Sequence, residues 1–283
     1  MSTTLTTPAA APAAAPAPTA SRVTFGTLLR AEWISLSSLR GNIVSLFIGI
    51  ALVVLPAAAF ATLWAYDFSS SGGDTAMLEW IPPVPAIALN GSIFAIAVAV
   101  IVGAAAYAKE HATGSLRSQL AASPRRVPML LAKAAVVGAA VFVATIIAFA
   151  LAYAVSSVVY SIAGLPLGIS DPVFDVIVPI LGGALAATAV AIFALGIASL
   201  LRSETWAVTL TLVFLFIIPM LLLQVPWEWG PQVSELLLGS TLQTLASGIA
   251  EFTGMYVRDL ALTLGWAAAA FLGGAIVVSR RDA

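Results

Sequence analysis

Residues 109–161 read KEHATGSLRSQLAASPRRVPMLLAKAAVVGAAVFVATIIAFALAYAVSSVVYS. The stretch divides in two. Its first part carries Lys109, Arg117, Arg125, Arg126 and Lys133, whereas Ala134 to Ser161 carries no charge. Crossing a hydrocarbon core takes about 20 mainly apolar residues, and the run from 129 to 161 exceeds that. It lacks the strict alternation of a membrane barrel strand, so it reads as a helix whose backbone groups are satisfied internally.

The same reading repeats along the chain. Six apolar runs are long enough to span: 43–66, 86–107, 129–161, 173–201, 205–225 and 258–278. The third and fourth are long, and the fourth has a candidate break near Pro179, Gly182 and Gly183. Composition agrees, with 61% hydrophobic and 9% charged residues and a mean hydropathy of +1.05, against about 25% charged in soluble domains. The expected fold is therefore an all-α polytopic membrane protein with six transmembrane helices. A net charge of −1 and a pI near 5.8 give no footprint for nucleic acid. The absence of cysteine removes disulfides, thiolate metal sites and cysteine nucleophiles.

Lys and Arg positions orient the chain. Arg22, Arg30 and Arg40 precede the first run, Lys109 to Lys133 lie between the second and third, Arg202 lies between the fourth and fifth, and Arg280 and Arg281 close the sequence. Eleven of twelve basic residues thus fall on one side, Arg258 being the exception, while Asp67, Asp74, Glu79, Asp171, Asp175, Glu228, Glu235, Glu251 and Asp259 fall on the other. The positive-inside rule places both termini in the cytoplasm. Residues 1–21, rich in Pro, Ala and Thr, lack the basic and apolar regions of a signal peptide and are expected to be a disordered cytoplasmic tail. Residues 22–283 are expected to form a single transmembrane domain.

Two further segments have helical periodicity. In Thr24 to Arg40, Phe25, Leu28, Leu29, Trp33, Leu36 and Leu39 recur at three and four, with Arg30, Ser37 and Arg40 on other faces. This predicts an interfacial helix ending at Gly41–Asn42, as opposed to an amphipathic start of the first span. In Pro226 to Val257, Leu238, Leu242, Leu245 and Ile249 share a stripe. Short helices dipping into or lying on the outer leaflet, broken near Gly239–Ser240, are expected there, either as an outer gate or as plain interfacial packing.

The charged loop, 109–128, holds the most chemistry. Ala112 to Ala122 suits about three helical turns, with Leu116 and Leu120 on one ridge, and Ser123–Pro124 stops them. Such a helix either docks in a partner's groove or serves as a solvated topogenic loop. Glu110 and Lys133 are placed to pair across the loop ends or to contact a partner.

This run resembles the cytoplasmic loop of permease subunits of type-2 ABC transporters. An acidic residue leaves the second span (Glu110), followed by Gly114–Ser115, a Leu-rich helix (Leu116, Leu120), a Ser-Pro with basic residues (Ser123, Pro124, Arg125, Arg126), and a Lys entering the third span (Lys133). The family's connecting helix before the first span and its re-entrant helices between the fifth and sixth match residues 24–40 and 226–257. The resemblance implies that the loop is the coupling helix of a bacterial inner-membrane exporter, seated on a separate cytoplasmic ABC ATPase subunit that binds ATP and Mg. It also implies a second permease protomer, identical or not, with the second and fifth spans lining the pathway. Asn90, Ser92, Thr205 and Thr209 are then the candidate pathway residues, and ordinary helix–helix hydrogen bonding is their alternative role.

No cofactor is expected in this chain itself. It has no G-x-x-x-x-G-K-[ST] sequence, and His111 is its single histidine, so catalysis here is not expected. Gly182, Gly183, Ala186, Ala187, Gly196, Gly265, Gly273 and Gly274 are weak candidates for helix association. An ion-coupled secondary transporter disagrees with the lack of any ionisable residue centrally in a span. A non-transporting scaffold or immunity protein stays open. The mostly apolar spans favour amphipathic or lipophilic cargo.

Overall fold

The computed structural model describes residues 24–38, 40–113, 126–227, 229–247 and 253–280. Their regular structure is entirely helical. In chain order it comprises α1 (Phe25–Ser38), α2 (Arg40–Ser70), a 3₁₀ turn (Thr75–Glu79), α3 (Val84–Leu89), α4 (Ser92–Thr113), α5 (Arg126–Ala163), α6 (Val173–Leu201), α7 (Glu204–Leu223), α8 (Trp229–Glu235), α9 (Leu238–Leu245) and α10 (Gly254–Arg280). Six stretches are long and apolar enough to cross a membrane: Ile43–Ser70, Val84–Ala108, Val127–Ala163, Val173–Leu201, Glu204–Leu223 and Gly254–Arg280. The chain is a multi-pass membrane protein, with spans within a few residues of those read from sequence. The end of the bundle bearing the segment 114–125 is called here the loop end, and the opposite end the far end.

Irregularities fall where proline forces them. The irregularity expected near Pro179, Gly182 and Gly183 is a π turn, Val173–Ile177, just before Pro179, and the fifth span has its own π turn at Val213–Ile217. Each is followed by a residue and then a proline, Val178–Pro179 and Ile218–Pro219. Proline lacks an N–H and collides with the carbonyl of a regular preceding turn. Widening that turn, with Val178 N–H donating to Val173 O and Ile218 N–H to Val213 O, accommodates the ring without ending the helix. The second span is interrupted too, at Asn90–Gly91 between α3 and α4, which the sequence reading missed. A Cβ on Gly91 would fall 2.8 Å from the Val53 backbone, so α2 presses directly on the break.

The connection from α6 to α7 takes two residues. Arg202 adopts the left-handed conformation (φ 57°) and donates its N–H to Ala198 O, and Ser203 caps α7 by accepting from Trp206 N–H. A turn this short fixes the two helices as antiparallel neighbours.

The core sits between α4 and α6. In the most apolar window of the second and fourth spans 56% of residues are buried, against 17% in the first and 22% in the fifth, which therefore turn most of their surface to lipid or to another protein. Close approach depends on small residues. A Cβ on Gly103 would overlap the Ala191 carbonyl, Gly196 lies against the Ala270 backbone, and Gly274 against Ser199. Gly183 faces the Phe149 ring, and Ala186 and Ala187 are buried in the same core. Most of the residues considered for self-association are thus occupied within the chain. Gly265 and Gly273 face open space.

Candidate functional site

At the loop end, α1 is tied to the start of α5. Its inward face runs Leu29, Glu32 and Leu36, while Trp33 is exposed, suiting the membrane interface. The described part of α1 runs to Ser38 and that of α2 from Arg40, and Gly41 and Asn42 are helical, not the break expected there. Glu32 is buried, and its Oε2 lies 2.6 Å from Lys133 Nζ, itself 2% exposed. Leu36, Tyr107 and Leu130 belong to an apolar cluster that runs through the bundle as far as Leu238, Leu242 and Leu245. Desolvating two charges costs several kcal/mol per ion, and only a close, well-formed pair offsets it.

Lys133 is expected from sequence to pair with Glu110, whose side chain lies outside the described residues, or to contact another protein; Glu32, a partner of Lys133 among the described residues, is left out of that reading. The signal was available. Glu32 lies four residues from both Leu28 and Leu36, a carboxylate in the middle of an apolar stripe, and such a residue calls for a buried cation.

The remaining loop candidates are placed as follows. Glu110 lies in the last turns of α4 and Arg126 opens α5, their side chains being outside the described residues. Gly114, Ser115, Leu116, Leu120, Pro124 and Arg125 also lie outside the described residues, as does the helix expected over Ala112 to Ala122 beyond Thr113.

At the far end, α8 and α9 fold back into the bundle. The stripe Leu238, Leu242 and Leu245 is buried, as its spacing requires. The break between α8 and α9 falls at Leu236–Leu237, three residues before the expected Gly239–Ser240, because Gly239 is needed inside α9, where a Cβ would overlap the Leu215 carbonyl. Likewise Gly182 meets the Leu245 carbonyl, and Thr241 Oγ1 lies 2.8 Å from Thr263 Oγ1. Leu215, Gly182 and Thr263 each sit about nine residues inside their own helix, or about 13 Å from its far end at 1.5 Å per residue. Three independent contacts thus put α9 at one depth. Trp266 Nε1–H donates to Leu236 O at 2.9 Å, and Trp266 continues an aromatic series with Phe214 and Phe193 at centroid distances of 5.1 and 5.3 Å. Arg258, the lone far-end base, lies 2.9 Å from Asp259 and 3.8 Å from Glu235.

Two cavities open around this fold-back. One, of about 630 Å³, is bounded by Phe60 and Trp64 of α2, the Pro82–Asn90 segment, Gly168, Asp175, and Gln243 to Ser247. Its walls are pinned: Tyr160 Oη donates to Pro82 O (3.1 Å), Val84 N–H to Leu167 O (3.1 Å), and Gly168 (φ 67°) abuts Pro83. The second, about 370 Å³, lies between α4 and α7 under Gly239 to Gln243. Ser92 and Gln243 border both.

The pathway candidates divide. Asn90 and Ser92 line the larger cavity, and Ser92 lines both. Thr205 and Thr209 do not join them; they lie on the exposed side of α7 at the loop end, a span away. Thr188 donates back to Ala184 O within its own helix. Thr211, by contrast, is fully buried and its hydroxyl has no hydrogen-bond partner.

No protein-family model matches the chain, and no curated protein matches it in sequence.

Proposed function

We propose that this protein is the transmembrane permease subunit of an ATP-driven exporter, working as a dimer and coupled through residues 109–128 to a separate cytoplasmic ATPase. The observation that carries this reading is the Glu32–Lys133 pair at 2.6 Å. Lys133 lies one turn beyond the loop, at the start of a 38-residue helix that runs to the far end. A displacement of the loop would act on a helix already fixed to α1, so α1 and α5 would move as one piece and not bend at their junction. A clamp of that kind suits force transmission, whereas a solvated topogenic loop has no use for it.

Further support comes from the crevice between α4 and α7, since the ABC resemblance assigns the pathway to those spans. Its lining is mainly apolar, which suits amphipathic cargo. In this reading the loop end faces the cytoplasm of a bacterial cell, both termini are inside, and ATP and Mg are bound by the partner subunit.

The test is purification of the chain from native membranes in mild detergent, with the stoichiometry of copurifying proteins determined. A cytoplasmic ATPase at one per permease, lost on Leu116→Asp, is the expected result. A protein that reproducibly purifies alone and shows no response to nucleotide would overturn the proposal in favour of a scaffold or an ion-coupled transporter.

A further inference from the structure

We propose that the larger far-end cavity is a binding site for amphipathic organic cations, a property of this chain alone that does not depend on an ATPase partner. Three observations converge on it. The first is shape: about 630 Å³ falls within the range of about 300–1,000 Å³ typical of small-molecule sites. The pinned prolines and the turn at Gly168 give it a preformed wall.

The second is the carboxylate of Asp175, which is half-buried and lines the cavity. Its Oδ2 accepts the N–H groups of Ser170 (2.7 Å) and Asp171 (2.9 Å). These two bonds hold the carboxylate in place. Its Oδ1 accepts no hydrogen bond and faces no cation among the described residues. Phe60 and Trp64 supply aromatic rings on the α2 wall, and Asn90 and Gln243 supply amides on α3 and α9. A fixed anion beside aromatic rings selects a charged centre with an apolar body, because the rings and the carboxylate both favour positive charge.

The third is the field. Among the described residues the far-end connections and flanking turns hold seven acidic residues against Arg258, and Arg258 is already engaged by Asp259 and Glu235. A surface of one sign raises the local concentration of counter-charged ligands. An anion entering the cavity would meet both the local carboxylate and that surface.

The experiment is equilibrium dialysis of the purified full chain in a glycosidic detergent, using tetraphenylphosphonium and tetraphenylborate, which place four phenyl rings around opposite charges. The expected result is saturable binding of the phosphonium, absence of saturable borate binding, and loss of about tenfold or more in affinity with Asp175→Asn or Trp64→Ala. Asn keeps an oxygen that can accept from Ser170 and Asp171, so the turn is retained. Equal binding of the two ions by the unaltered protein would overturn the proposal even if neither variant folds. So would a phosphonium affinity unchanged in Asp175→Asn. Competition by a short-chain phosphatidylethanolamine would assign the site to a lipid ammonium headgroup; phosphonium binding unaffected by it assigns the site to a free cation.

Discussion

The two ends of the bundle are closed by different means. At the loop end two buried charged side chains meet, one on α1 and one on α5, and Leu36 and Leu29 of α1 pack into the apolar core. At the far end, closure comes from backbone reaching backbone at Gly182 and Gly239, a pair of threonine hydroxyls, and an indole N–H on a carbonyl. No single one of these contacts is strong. The far end also encloses cavities, whereas Glu32 and Lys133 are buried at the loop end. A concentrated contact transmits a push, and a distributed one lets short helices shift by small steps while staying inside the bundle. The proposed division of labour, a stiff coupling end and an adaptable ligand end, follows from that contrast.

The contrast breaks most directly at Lys133. Replacing it with Met leaves Glu32 buried without its cation, and removing one partner of a buried pair costs about 3–5 kcal/mol. Chemical unfolding of Lys133→Met in detergent is expected to show that loss. Lys133→Met combined with Glu32→Gln is expected to recover most of it, because no charge is then left uncompensated. If the single variant unfolds like the unaltered protein, the loop end has no concentrated clamp and the contrast fails.

A smaller effect is expected at Gly239. Valine there must displace either α9 or the Leu215 backbone, and forced repacking of this kind costs about 1–3 kcal/mol. Gly265→Val, where nothing lies within reach, is the matched control and is expected to stay within about 0.5 kcal/mol of the unaltered protein. The same denaturation series measures both. Equal stability of the two variants would mean that α9 does not depend on its close seat against α7.

How much of this was legible in the sequence depends on what each feature required. The spans were, because a run such as Ala134 to Ser161 leaves no other solution in lipid. So was the buried stripe Leu238, Leu242 and Leu245, since helical spacing survives without knowledge of the partner. The proline-linked π turns were half legible: Pro179 marks an irregularity, but its form, a widened turn on the N-terminal side of the proline, does not show in the sequence. Gly182, Gly183 and Gly196 looked like association residues because a small side chain shows only that something comes close, not whether it belongs to the same chain. Glu32 was half legible: a lone carboxylate in an apolar stripe calls for a cation, but Lys133 lies 101 residues away in sequence. The cavity was beyond reach. Phe60, Asp175 and Gln243 are separated by more than a hundred residues at one step and by dozens at the next, and only the fold-back of α9 brings them around one space.

The finest test concerns the two hydroxyls that join α9 to α10. Thr241 and Thr263 are fully buried, with their Oγ1 atoms 2.8 Å apart, and Thr241 also donates back to Leu238 O at 3.0 Å. Thr263 can donate to Thr241 Oγ1 while Thr241 donates to Leu238 O, so the bond across the helices and the bond within one are made together. Interhelical hydrogen bonds in membranes average about 0.6 kcal/mol in double-mutant cycles, and this bond between two neutral hydroxyls is expected near that value. The cycle is Thr241→Val, Thr263→Val and the pair, chosen because valine preserves shape while removing the hydroxyl. A coupling of about 0.6 kcal/mol places α9 among elements held by many weak contacts, as an adaptable wall requires. A coupling approaching that of the Glu32–Lys133 pair would make the far end a second rigid clamp, and the contrast between the two ends would vanish.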